Sequence, residues 1–339
     1  QASPPPAPLS EQEIETLAAE IDELIVENHR KGVFDGSVLV ARNGQVILSR
    51  GYGFADRERK IPNTPRTKFR IASITKQFTA MAVLLLQEMG KLDIDDGICT
   101  YIPDCPGIFG PVRIRHLLSH SAGIPGNTRY SWPGDQMVPE TAELYFSPGE
   151  EFMYQDVGYD LAGRIVETVS GQSYGDFLEE YIFEPLGMED TGVYGMETTG
   201  LAQGYSGAEG ETALLPAYGL FAGGVLYSTV EDMYRWDRAL YTEELLPRSA
   251  LEAVFARQIE VPDGQYYGAD GSTGWGYGFG WFIAPEEMGY VLHGGMLPGY
   301  RAEIRRYIDE RGVIILLANQ EAVHIYPTAE AIAAKLFGG

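Results

Sequence analysis

The chain has 339 residues, enough for one large domain or two interleaved ones, and its 45% hydrophobic and 22% charged content is that of a globular protein with a sizeable core. A formal net charge of −23 argues against nucleic acid and anionic membrane surfaces as partners. The longest apolar run, MAVLLL at 81–86, is far too short to cross a bilayer, so no integral membrane segment is expected.

The chain opens QASPPPAPLS, a Pro-rich lead with no initiating Met. Residues 1–9 read as a disordered tether at the start of a mature exported protein, periplasmic or secreted, whose signal peptide has been removed; a trimmed chain would begin the same way. Ser10 followed by Glu13 is a capping box, and Ile14, Leu17, Ile21, Leu24 and Ile25 repeat at helical spacing, which predicts an amphipathic helix over 11–30. SVLVAR and QVILSR flank Asn43-Gly44, the dipeptide that suits a type I′ turn, and so predict a β-hairpin.

From about 72 to 185 helix signals dominate, broken by Pro/Gly loops such as GIPGNTRYSWPGD. Cys99 and Cys105 lie close together in CTYIPDC and read equally as a small bridged loop or as two free thiols. Past about 218 come a helix near 229–240, the strand-like runs YGFGWFI, GYVLHGG, YRAEIRRYI and GVIILLAN, and a last helix over about 327–337. Strands at both ends of the chain predict an α+β fold in which one antiparallel sheet is flanked by the terminal helices. Residues 10–60 and 218–339 would form this lobe and 61–217 an inserted all-helical lobe, with a site in the crevice between them.

Two serines compete for the role of nucleophile. GQSYG at 171–175 matches G-x-S-x-G, but that motif needs a strand entering the turn and a helix leaving it. Here LAGRIVETVS before it and YGDFLEEYI after it are both helical, so Ser173 reads as the cap of the second helix, paired with Asp176. The later histidines available to a triad are only His293 and His324. Ser73-Ile74-Thr75-Lys76 is the only S-x-x-K in the chain, and it opens a long apolar helix. Its three-residue offset sets Ser73 and Lys76 on one face, where a partly desolvated amine can take the serine proton. An N-capping serine with a solvated lysine has the same local sequence.

FRIASITKQFTA, RIRHLLSHSAGIP, FSPGEEFMYQDVGYDLAGRIVE, EPLGMEDTGV and HGGMLPGYRAE follow one another in this order. Together they resemble the serine β-lactamase and penicillin-binding-protein superfamily, in the branch of class C β-lactamases, DD-peptidases, D-aminopeptidases and family VIII carboxylesterases, over about 30–320. The resemblance implies a β-lactamase/transpeptidase-like fold and a serine hydrolase without metal or other cofactor. It also implies that Ser73 is acylated, that Lys76 accepts or relays its proton, and that Tyr154, in Tyr154-Gln155-Asp156 at the family's Tyr-x-Asn element, shares the base role. His293-Gly294-Gly295 stands at the Lys-Thr-Gly strand, where small residues let a substrate backbone lie along the edge. The backbone N–H groups of Ser73 and Met296 would form the oxyanion hole.

Two departures from the family pattern stand out. Asp156 replaces the usual Asn; paired with Lys76 it favours the ammonium, and unpaired it suits a substrate ammonium. His293 replaces a lysine that would grip a substrate carboxylate, and it predicts a rate that changes around pH 6–7. Both departures favour an ester or D-amino-acid peptide over anionic β-lactams, with weak β-lactamase activity below these. The alternative is a catalytically weak penicillin-recognising or scaffold protein. His116 and His120, four apart, lack the Glu of H-E-x-x-H and read as structural rather than as zinc ligands.

Overall fold

A computed structural model describes residues 7–125, 129–131, 135–137, 143–195, 198–207, 210–213, 221–265, 272–323 and 325–338. Most of the predicted tether, much of the 126–142 loop and His324 lie outside the described residues.

Helix α1 (Glu11–Arg30) starts where expected, with Ser10 Oγ accepting from the Glu13 N–H at 3.3 Å and Glu13 Oε2 accepting from the Ser10 N–H at 2.8 Å. Asn43 and Gly44, at φ 51° and 79°, turn β1 (Gly36–Arg42) into β2 (Gln45–Tyr52). A small hairpin of β3 (Phe54–Asp56) and β4 (Ile61–Pro62) and a short β5 (Phe69–Arg70) lead to a 3-10 turn over Ala72–Ile74. The buried helix α2 (Thr75–Glu88) continues from that turn. The helical stretch holds α3 (Ile114–Leu118), the β6 (Arg129–Ser131) and β7 (Asp135–Met137) hairpin, α4 (Asp156–Ser170), α5 (Tyr174–Leu178) and the single turn α6 (Glu184–Leu186).

Short strands β8 (Gly192–Val193), β9 (Tyr205–Ser206), β10 (Glu211–Thr212) and β11 (Leu226–Ser228) precede α7 (Val230–Ala239) and α8 (Arg248–Phe255). The chain then lays down β12 (Ile259–Glu260), β13 (Gly276–Tyr277), β14 (Phe282–Ile283), β15 (Tyr290–Leu297), β16 (Tyr300–Tyr307) and β17 (Gly312–Ala318), and ends in α9 (Ile325–Phe337).

Eight strands form one antiparallel sheet in the order β12-β13-β14-β15-β16-β17-β1-β2. The N-terminal hairpin therefore closes on the last strand, Gly36 opposite Ala318 and Arg42 opposite Gly312. Alternate side chains serve different cores, as the two-residue period of a strand requires. Val38, Val40, Ile314 and Leu316 pack with Ile21 and Ile25 of α1 and Ile332 of α9. Leu39, Ala41, Ile315 and Leu317 join the core that contains α2, α4 and α5.

YGFGWFI is not one strand, because Gly278 N–H bonds to Trp281 O at 2.8 Å and this turn splits β13 from β14. A separate three-stranded sheet, β5-β11-β8, flanks the helix-rich stretch in sequence and had no clear sequence signal, since its strands are two or three residues long.

Candidate active site

The helix that carries S-x-x-K is fixed by burial, since every residue from Thr75 to Leu86 is buried. Ser73 sits in the tight turn just before it, behind Ala72 at φ 49°, a left-handed conformation that costs a non-glycine residue about 1–2 kcal/mol. Lys76, one turn on, is fully buried, and its Nζ donates to Ser73 Oγ at 3.2 Å, Gly223 O at 2.8 Å and Asp156 Oδ1 at 2.6 Å. All three are acceptors suited to an ammonium, which only donates. Burial alone would push Lys76 towards the neutral amine, but the charges of Tyr154 and Asp156 outweigh it and hold the ammonium above its usual range.

Tyr154 stands beside both groups, with Lys76 Nζ 4.9 Å from its ring centroid. Burial raises its phenol above the usual range, the Lys76 charge draws it down, Asp156 raises it again, and hydrogen bonds to Ser73 and Lys76 lower it; the net shift is upward. The His120 ring lies 4.2 Å from the Tyr154 ring, centroid to centroid, and His120 Nδ1 accepts from the Gln155 N–H at 3.1 Å. His120 thus clamps the turn that delivers Tyr154 and Asp156. Burial, with Lys76 nearby, keeps it neutral. His116 Nδ1 accepts from the Arg113 N–H at 3.1 Å, so both histidines hold backbone.

β15 brings up the opposite wall. A Cβ on Gly295 would lie 2.1 Å from Ile71 O, and one on Gly294 would lie 2.2 Å from the Tyr326 hydroxyl. Gly295 is therefore required by the nucleophile's own turn packed against it, whereas at Gly294 only the hydroxyl end of Tyr326 on α9 would have to shift. His293 is 1% exposed; its Nδ1–H donates to Gly294 O at 2.7 Å, which leaves Nε2 to accept from the Tyr277 hydroxyl at 3.0 Å. Burial, then the Lys76 charge, lowers its pKa to about 3. The titration around pH 6–7 expected of His293 is thereby corrected: the ring stays neutral across that range because it is sealed from water beside a cation.

A cavity of about 310 Å³ collects these groups. Ser73, Tyr154 and Asp156 line one side, and His293, Gly294, Gly295 and Met296 the other, with Lys76 behind. Sequence reasoning missed five of its lining residues, the apolar Phe282, Leu292 and Ile325 and the polar Arg301 and Tyr326. Arg301 is the cross-strand partner of Met296, a neighbour fixed by register; Tyr326 reaches the site only because Gly294 leaves room for it. A cavity of about 450 Å³ between α8 and the β16–β17 turn has no serine, cysteine, lysine or histidine in its lining.

Ser173 caps α5, its Oγ accepting from the Asp176 N–H at 3.1 Å and donating to Asp176 Oδ2 at 2.6 Å. Gly171, left-handed at φ 77°, ends α4 just before it. Among the described residues no His, Cys, Asp and Glu groups are arranged to hold a metal ion.

The family model described as Beta-lactamase matches residues 17–336. The chain belongs to the beta-lactamase family. Among its relatives, "Penicillin-binding protein 4*" of Bacillus subtilis is 33% identical over 93% of this chain and 74% of its own length. The octameric penicillin-binding protein homologue from Pyrococcus abyssi superposes with a TM-score of 0.81 at 30% identity, covering 94% of this chain and 77% of that one. The D-amino acid amidase of Ochrobactrum anthropi SV3 superposes at 0.77 with 25% identity, covering 95% and 97%. Family and neighbours support serine acyl-transfer or hydrolytic chemistry in general. Among the described residues no helix is long and apolar enough to cross a membrane.

Proposed function

We propose that this member of the beta-lactamase family is a serine hydrolase that forms an acyl-Ser73 ester from an ester or a D-amino-acid amide or peptide. The observation that carries the reading is the Ser73–Lys76 contact at 3.2 Å in a cavity that also presents Tyr154. The likeness to a D-amino acid amidase supports the D-amino-acid arm. Held as an ammonium, Lys76 has no lone pair to offer, so Tyr154 is the base in this reading and Lys76 is the cation that favours its phenolate.

Ser73 Oγ attacks the carbonyl carbon as its proton passes to the Tyr154 oxygen, and the N–H groups of Ser73 and Met296 receive the oxyanion. Tyr154 hands that proton to the leaving group as its bond to carbon breaks. Water then attacks the ester, gives a proton to Tyr154, and the serine oxygen leaves with that proton restored. His293 holds the strand edge through Gly294 and Tyr277 and transfers no proton.

The Asp156–Lys76 pair also favours a second reading, a weakly turning-over penicillin-recognising protein, because a fixed ammonium is a poor base. Incubation with p-nitrophenyl esters, nitrocefin and D-alanyl amides, followed by mass spectrometry, separates the two. Rapid turnover through a Ser73 adduct is expected, a lasting adduct supports the binder, and no adduct that disappears in Ser73→Ala overturns both.

A further inference from the structure

The cavity offers a ligand two opposite charges, one from each wall. On the helical side Asp156 is the first residue of α4, and its side chain is 54% exposed. Oδ1 accepts from Lys76 at 2.6 Å, and about half of the carboxylate side chain stays open to the cavity. Lys76 is sealed behind it, so the charge a ligand meets at that end is the carboxylate. On the sheet side Arg301 Nη1 donates to Leu297 O at 3.2 Å and Tyr300 O at 3.0 Å, which fixes the guanidinium at the cavity wall. Its Nη2 is 3.6 Å from Glu321 Oε1, beyond hydrogen-bond reach, and is open to a better acceptor. Ser73 shares the cavity with both, and Phe282, Leu292 and Ile325 give it apolar wall.

We propose that the preferred substrate is an unblocked dipeptide, its ammonium held by Asp156 on the acyl side and its carboxylate by Arg301 on the leaving side, with the peptide carbonyl at Ser73. The proposal rests on the serine hydrolase reading. An extended dipeptide separates its end charges by about 7 Å, and the 310 Å³ cavity lies at the small end of ligand sites. The carbonyl carbon bonds to Ser73 Oγ and parts from the peptide nitrogen, which takes the serine proton by way of Tyr154. The first free amino acid leaves with its carboxylate, one water hydrolyses the ester, and the second amino acid leaves with its ammonium.

The test is a set of four forms of alanyl-phenylalanine, made in both the D,D and L,L series: both ends free, N-acetylated, C-amidated, and blocked at both ends. In the wild type, each blocked end is expected to lower kcat/KM about 10- to 100-fold, as loss of a charge-assisted hydrogen bond does. The acetylation penalty should shrink towards one in Asp156→Asn, and the amidation penalty in Arg301→Gln; comparing penalties within each variant cancels changes in the chemistry itself. Arg301→Lys, which keeps the charge, should retain part of the amidation penalty, and Glu321→Gln, which removes the competing carboxylate, should enlarge it. Equal rates for all four forms, or penalties unmoved in the variants, overturn the proposal. If p-nitrophenyl acetate also leaves no Ser73 adduct, the hydrolase reading falls with it; if the ester acylates Ser73 and the dipeptide shows no preference, only the dipeptide proposal falls.

Discussion

Asp156 changes the chemistry open to Lys76 by a single contact of 2.6 Å. With the charge of Tyr154 the carboxylate keeps the amine protonated, and it adds to the burial that raises the phenol of Tyr154, so the base form of Tyr154 becomes more populated only as pH rises. For a neutral ester, kcat/KM of the wild type should therefore climb across the alkaline range and show no His293 step near pH 6–7, because that ring titrates at about 3. Asp156→Asn removes the charge that raises both neighbours, so the rising limb should move to lower pH and the rate at neutrality should increase. A pH profile of kcat/KM for p-nitrophenyl acetate checks both statements; an unshifted limb in the variant contradicts this account of Asp156. Ser173 is the contrasting residue. Ser173→Ala removes a helix cap and should cost about 1 kcal/mol in denaturant unfolding while esterase activity per folded molecule is unchanged. Its position between two helices was legible from flanking residues alone, because capping is local chemistry. The open cation Arg301 was not legible, because a cross-strand neighbour depends on register.

Between elements, the site depends on how closely β15 lies against the turn that holds Ser73. Gly295 leaves no room for a methyl group, since its Cβ would meet the backbone oxygen of Ile71, which cannot swing aside as a side chain can. Gly295→Ala should therefore push the strand from the nucleophile's turn and separate the two N–H groups assigned to the oxyanion. The expected result is a loss of acylation rate of about 100-fold or more, the scale of a lost oxyanion donor, with the circular dichroism spectrum retained. Gly294→Ala meets only the hydroxyl end of Tyr326 and should be milder. A Gly295→Ala enzyme that acylates at the wild-type rate would disprove the packing argument. Elements built on local signals matched their predicted positions: the capped helix α1 and the Asn-Gly hairpin. The turn inside YGFGWFI and the two-residue strands were missed because such short pieces are stabilised by their neighbours in space rather than by periodicity.

Across the whole molecule, β1 pairs with β17, so the last strand and the first hairpin must meet before the sheet is complete. Such long-range pairing makes the sheet slow to assemble, while the helical part carries a covalent constraint of its own. That constraint is the disulfide between Cys99 and Cys105, six residues apart in sequence, which settles the two readings open at those positions in favour of the bridge. Its loop contains Ile102, which is 3% exposed and belongs to the same core as α2 and α4, so the bridge narrows the unfolded freedom of a segment that must find that core. Replacing both cysteines by serine should lower unfolding free energy by about 2 kcal/mol on the loop-entropy estimate for so short a ring. The oxidised wild type treated with dithiothreitol should show the same loss, and the double variant should not respond to the reductant. Equal stability of oxidised and reduced wild type would mean that the bridge adds nothing to the fold. The expected loss would instead show that closing this ring, and not packing alone, holds the Ile102 segment in its core.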